Sequence, residues 1–166
     1  MSAAVQRVMQ ALAAAGVEAE VRSVPAGART AQDAAAAVGV EVGQIVKSLV
    51  FARPRSGRAL LVLVSGANRA DEALLAREAG EAVGRADADY VRRSTGFSIG
   101  GVPPLGHPEA LETLIDSDLL RYACVWAAAG TPNDVFAIAP DDLVRATGGR
   151  VVAVRPAGGS SAGRWS

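Results

Sequence analysis

A chain of 166 residues, 50% hydrophobic and 20% charged, is long enough for one domain with a sizeable core and too short for two ordinary ones. Seventeen basic residues balance seventeen acidic ones, for a formal net charge of zero. That excludes a global field drawing the protein along DNA or onto an anionic membrane, and any RNA contact has to be local. One cysteine, Cys124, and one histidine, His107, exclude an internal disulfide and a four-ligand Cys/His zinc site. The longest purely aliphatic run, Ala59 to Val64, falls far below the roughly 18 to 20 apolar residues of a membrane span. Gln6, Arg7 and Gln10 break the apolar positions near the start, unlike a secretory signal. The expectation is a cytoplasmic protein.

In chain order, Val5, Val8, Met9 and Leu12 recur at helical spacing over residues 3 to 15, with Gly16 as the stop. A short strand over Val21 to Val24 precedes a loop at Pro25 and Gly27. Thr30, three residues before Asp33, forms an approximate capping box for an alanine-rich helix that runs to Val38 and ends at Gly39. Residues 45 to 51 and 59 to 64 read as strands of a hairpin at the centre of the sheet, turned at Pro54 and Gly57. Asn68 to Ala79 predicts a helix with Leu74 and Leu75 inward, and Asp87 to Arg93 a shorter one that ends before Gly96. Leu114 and Ile115 lead into Asp116, a candidate cap for a short helix. Cys124 to Ala128 and Val135 to Ile138 read as strands around a Gly130-Thr131-Pro132 turn, with Cys124 as a buried thiol. Pro140 suits the first turn of a helix through Ala146, and Val151 to Val154 forms a last strand. The expected fold is a single α/β or α+β domain around one central sheet, over residues 1 to 155, with a flexible Gly/Ser tail from Pro156 to Ser166.

Lys47 is the only lysine beside sixteen arginines. An ammonium is compact and changes its pKa readily on burial, whereas a guanidinium is planar and permanently charged. Alternation along Ile45-Val46-Lys47-Ser48-Leu49-Val50-Phe51 puts Lys47 on the face of Leu49 and Phe51. There it either meets a ligand or partner, or snorkels to water. The second candidate is Gly96 to Pro108, GFSIGGVPPLGHP, with four glycines and three prolines in thirteen residues. Such a loop either presents backbone groups to a ligand or is a rigid turn.

Other patterns carry less. Gly96-Phe97-Ser98-Ile99-Gly100 matches G-x-S-x-G but lacks the strand before and helix after a nucleophile elbow. Val46 stands where a phosphate loop ending in Lys47-Ser48 requires glycine. His107 either donates to a substrate oxygen or bonds backbone, and Arg53, Arg55, Arg58, Arg92 and Arg93 are either phosphate contacts or a solvated face.

Taken together, the Thr30-led helix, GQIVKSLVF from Gly43, LVLVSG ending at Gly66, STGFSIGGVPPLGH from Ser94, LID ending at Asp116 and VWAAAGTPNDVF resemble the YbaK/ProX family of aminoacyl-tRNA deacylases. That family includes the editing domain of bacterial prolyl-tRNA synthetases. The resemblance implies a mixed, partly barrel-like sheet flanked by helices, and hydrolysis of the ester between a wrong amino acid and the terminal adenosine of tRNA. No metal or cofactor is implied. By position, Lys47 matches the family's essential lysine and Gly100 to Pro104 its G-x-x-x-P loop. Lys47, Gly100 and Gly101 are then the expected catalytic positions. Val102, Pro103, Pro104, Ser65, Gly66, Thr95, His107 and Asp134 are the expected substrate contacts. Ala127 stands where cysteinyl-type members tend to carry serine, which leaves alanyl, seryl, threonyl or another small residue as substrate. The implied partner is the acceptor end of a mischarged tRNA, with a synthetase or elongation factor as a possible helper. The competing reading is a non-catalytic module that binds an aminoacyl-adenosine-like ligand or a synthetase.

Overall fold

The computed structural model describes residues 1–156, so the proposed flexible tail lies almost wholly outside the described residues. In chain order its elements are α1 (Ala3–Ala14), β1 (Val21–Ser23), α2 (Ala31–Val38), β2 (Val46–Ala52), β3 (Ala59–Ser65), α3 (Glu72–Ala79), β4 (Gly84–Arg85), α4 (Ala88–Thr95), β5 (Glu112–Asp116), β6 (Val125–Ala128), β7 (Asp134–Ile138), α5 (Pro140–Thr147) and β8 (Arg150–Val152). Two 3-10 turns, Val42–Gln44 and Ser117–Arg121, complete them.

Leu60 to Val64 are wholly buried, and a strand covered on both faces has to run through the middle of a sheet. β3 does so, antiparallel to β2 on one edge and parallel to β5 on the other, in the order β4-β2-β3-β5-β8. On one face of this sheet Leu60, Val62, Val64 and Leu114 pack with Leu75 of α3 and with Val152 and Val154. On the other, Leu61, Leu63 and Ile115 join Val8 and Leu12 of α1, Phe136 of β7 and Leu143 of α5 in the main core.

The single sheet expected from the sequence is in fact two. A second, three-stranded sheet runs β1-β7-β6. The two touch where Ile45 bridges Trp126 in parallel fashion. β4 pairs only with Phe51 and Ala52 of β2. Among the described residues, 46–50 of β2 are therefore hydrogen-bonded to no strand on the edge that faces away from β3. The sheets curl towards a barrel and leave that gap open.

Local chemistry sets the helix limits. The Thr30–Asp33 capping box is complete, with each side chain accepting from the other's backbone N–H. α3 begins at Glu72 rather than Asn68, because the Asp71 carboxylate accepts from Ala73 and Leu74 and fixes the N-cap there. Only Leu75 of that helix is buried, Leu74 being partly exposed. α4 extends to Thr95, and β8 ends at Val152. Cys124 is half-buried just outside β6, not a buried thiol within it.

Arg53, read above as a candidate phosphate contact, is instead 1% exposed and turned inward. It donates to the Arg58 carbonyl at 3.1 Å, the Ala59 carbonyl at 2.9 Å and Glu112 at 2.6 Å, clipping the β2–β3 turn to β5. Replacing Arg53 with Met removes all three bonds while Glu112 stays partly solvated. The expected cost is about 2–3 kcal/mol, read as a lower urea midpoint at unchanged slope.

Candidate active site

Alternation places Lys47 on the Leu49 and Phe51 face of β2, as the sequence suggests, and its side chain is 2% exposed. Its ammonium donates to the Asn68 carbonyl. The Asn68 amide in turn donates to Asp116 at 2.9 Å and Asp118 at 2.7 Å. Asp116, also buried, accepts from the Ser65 N–H at 3.0 Å and the Asp118 N–H at 2.9 Å. Burial pulls the Lys47 pKa down from 10.5 to about 8; the Asp116 charge opposes that shift and the Arg69 charge adds to it.

Along the open edge of β2 lies a cavity of about 700 Å³, lined by Lys47, Ser48, Arg69, Arg85, Gly100 and Val102 among others. That volume suits a small-molecule group. A second cavity, of about 450 Å³, is bordered by Thr30, Trp126 and Asn133. Val46, Ile99, Gly100 and Ala128 line both, so the tip of the Gly-rich loop separates them.

The loop is held from several sides. The Gly101 N–H donates to the Ser98 carbonyl at 2.9 Å, so it is already committed to the turn. A Cβ on Gly101 would lie 2.8 Å from the Thr131 Cα, which makes glycine a packing requirement there. Gly100, with φ +87°, meets no such obstacle. Among the described residues its N–H donates to no protein acceptor. His107 holds the Pro103 carbonyl through Nε2 at 2.8 Å and stands edge-on to Phe97, with ring centroids 6.1 Å apart. Burial lowers its pKa, against the opposing effect of that bond, so the ring is neutral and Nε2 carries the donated proton.

Of the positions expected from the sequence, the structure brings Lys47, Gly100 and Val102 together at the larger cavity. Gly101, Pro103 and Pro104 are buried behind them. The others do not line either cavity. Ser65 donates to the Gly43 carbonyl at 2.7 Å, and a Cβ on Gly66 would strike the Val42 carbonyl at 2.4 Å. Thr95 donates to the Val91 carbonyl at 2.7 Å and closes α4. Asp134 accepts from Thr131 at 2.6 Å and Ser23 at 3.2 Å, which secures the β6–β7 turn.

Sequence reasoning passed over Arg69, Arg85, Glu72 and Ser48, all at the larger cavity. The Ser48 hydroxyl is the one buried side-chain polar atom that lacks a hydrogen bond among the described residues. Its only sequence signal was its place beside Lys47. Among the described residues no group of three or more His, Cys, Asp or Glu side chains is placed to hold a metal ion. No helix among them is long and apolar enough to cross a membrane.

A buried lysine thus lies under a cavity walled by a Gly/Pro loop, in a two-sheet α+β domain. Residues 25–146 match the model of the aminoacyl-tRNA editing domain, and the chain belongs to that family. A solved structure described as a candidate trans-editing enzyme for prolyl-tRNA synthetase is 46% identical, with a TM-score of 0.88, over 94% of this chain and 99% of that one. The uncharacterised Bacillus subtilis protein YwhH is 29% identical over 126 residues, 76% of this chain and 80% of its own length. EbsC of Enterococcus faecalis, described as a candidate Cys-tRNA(Pro)/Cys-tRNA(Cys) deacylase, is 25% identical over 122 residues, 73% of this chain and 74% of its own length.

The close approach of the loop to Thr131 generates a test. Gly101→Ala forces the two segments apart and moves Gly100 relative to Lys47. Activity on aminoacyl-tRNA should fall at least tenfold, with a destabilisation of about 1–3 kcal/mol by thermal melt.

Proposed function

We propose that this protein hydrolyses the ester of a mischarged small amino acid on tRNA, acting in trans on the acceptor end. The burial of Lys47 beneath the cavity is the observation that carries the mechanism. Support for action in trans comes from the match to 99% of the chain of the trans-editing neighbour.

An activated ester needs a positioned water and a stabilised oxyanion more than it needs a side-chain nucleophile. Water adds to the ester carbonyl carbon, and the carbonyl oxygen gathers the negative charge. The Lys47 ammonium, buried and held by the Asn68 carbonyl, meets that charge. The free N–H of Gly100, at the partition between the cavities, supplies a neutral donor. The carbon–oxygen bond to the ribose then breaks, and the ribose oxygen takes the proton that the water gives up. The products are the free amino acid and uncharged tRNA. Buried Ala127, on the wall of the second cavity, offers a contacting side chain no polar group. That favours selection of the amino acid by size.

Deacylation of alanyl-, cysteinyl-, seryl- and threonyl-tRNA by the wild type and by Lys47→Ala tests the proposal. One ester should be hydrolysed well above the buffer rate, and the variant should lose about 100- to 1,000-fold in kcat/KM while staying folded. Binding without hydrolysis of any ester would instead make this a non-catalytic module. Lys47→Arg should fail to rescue, because a planar guanidinium does not fit the site of a compact ammonium.

The pH dependence follows from the same group. With a pKa lowered to about 8, Lys47 is cationic below that pH and neutral above it. The enzymic excess over the buffer rate should therefore decline as pH rises through about 8, even as hydroxide speeds the background reaction.

A further inference from the structure

Arg69 and Arg85 reach the larger cavity from different places, Arg69 from the turn that follows β3 and Arg85 from β4. Both are exposed. Of the described arginines, six pair with carboxylates, two lie over aromatic rings and two donate to nearby oxygens. The five left with no such partner are Arg29, Arg55, Arg69, Arg77 and Arg85. Three of those five line the two cavities, Arg69 and Arg85 the larger and Arg29 the smaller. In a protein of zero net charge, two uncommitted guanidinium groups thus stand at the larger cavity and a third at the smaller one.

The reacting end of the substrate does not account for them. An aminoacyl-adenosine carries a cationic ammonium and no anion, and Arg69, Arg85 and Lys47 face it with only Glu72 as a carboxylate on the same cavity wall. The charge of Arg69 is close enough to bear on Lys47. What these cations do match is a phosphodiester, which a guanidinium fork can grip through two parallel hydrogen bonds.

We infer that Arg69 and Arg85 form a clamp for the phosphodiester backbone of the single-stranded RNA end, just outside the cavity that holds the ester. The inference rests on the deacylase reading and deepens it. Lys47 deals with the charge that develops at the carbonyl; the two arginines deal with the permanent charges of the preceding nucleotides. The clamp sets how the strand enters, and its contribution is local and sensitive to salt.

The test compares Arg69→Ala, Arg85→Ala and the double variant with wild type, using Arg77→Ala of α3 as a control arginine away from both cavities. Each is assayed on the aminoacyl-tRNA and on the corresponding 3′-aminoacyl-adenosine, which has no phosphate. KM for the aminoacyl-tRNA should rise about three- to tenfold per arginine removed, and the salt dependence of log KM should become shallower by about 0.7 each time. Well below pH 8, where Lys47 is cationic with or without the Arg69 charge, the phosphate-free ester should be hydrolysed as by wild type, and Arg77→Ala should change neither reaction. Unchanged KM and salt slope, or an equal loss on the phosphate-free ester, would overturn the clamp. If the wild type hydrolyses neither ester, the deacylase reading itself fails. Fluorescence anisotropy with an uncharged RNA hairpin carrying a single-stranded CCA end then decides the clamp separately: weaker binding by the double variant upholds it, and equal binding overturns it.

Discussion

The burial of a single ammonium organises the site. Lys47 is removed from water at the open edge of β2, where its charge costs free energy unless neighbouring groups offset it. The offset comes from the Asn68 carbonyl and the Asp116 charge. Asn68 and Asp116 are themselves fixed by Ser65 and by Asp118 in the turn Ser117–Arg121. The ends of β3 and β5 are thereby tied to the lysine of β2. Offset this way but not neutralised, the ammonium keeps a lowered affinity for its proton and a strong pull on any negative charge that forms nearby.

The fold supplies the space that such a group needs. A closed barrel would have put a strand beside residues 46–50, and a flat sheet would have left that edge in water. Among the described residues the two sheets instead pack through the main core and are joined by backbone pairing at Ile45 and Trp126 alone, and a cavity runs along the unpaired edge of β2. The Gly-rich loop forms the partition within it. Its tip is set by contacts behind the cavity: Gly101 against Thr131, His107 against Pro103, and Arg7 over the Phe97 ring at 4.7 Å. A loop held at so many points can present a backbone donor at a fixed position, which is the form of preorganisation that ester hydrolysis uses.

Much of this was legible in the residues. The Thr30–Asp33 box, the β2–β3 hairpin, the Asp116 cap and Pro140 at the start of α5 all depend on neighbours close in sequence. The single lysine within an apolar strand stood out by composition, but whether it met a ligand or partner or reached water was open until the fold placed it, buried, at the cavity. What escaped depends on distant contacts. Asn68 reads as the start of a helix until its amide is seen to bridge Asp116 and Asp118. β4 is two residues long, too short for any periodicity. Thr95, His107 and Asp134 sit in conspicuous segments, yet their polar atoms brace turns and do not line a cavity. Arg53 and Arg69 look alike in the sequence; one is sealed against Glu112 and the other faces the cavity without a carboxylate partner. Pairing of that kind is fixed only once the chain has folded.

Because Lys47 is the only lysine, its protonation can be followed directly. Lysine labelled with ¹³C at Cε gives one signal from the intact protein, and a pH titration of that signal by NMR measures the buried ammonium with no mutation. The account predicts a midpoint of about 8, moving when a non-hydrolysable aminoacyl-adenosine analogue occupies the cavity. A midpoint at the ordinary value of 10.5, indifferent to the analogue, would show a solvated lysine and contradict the central claim.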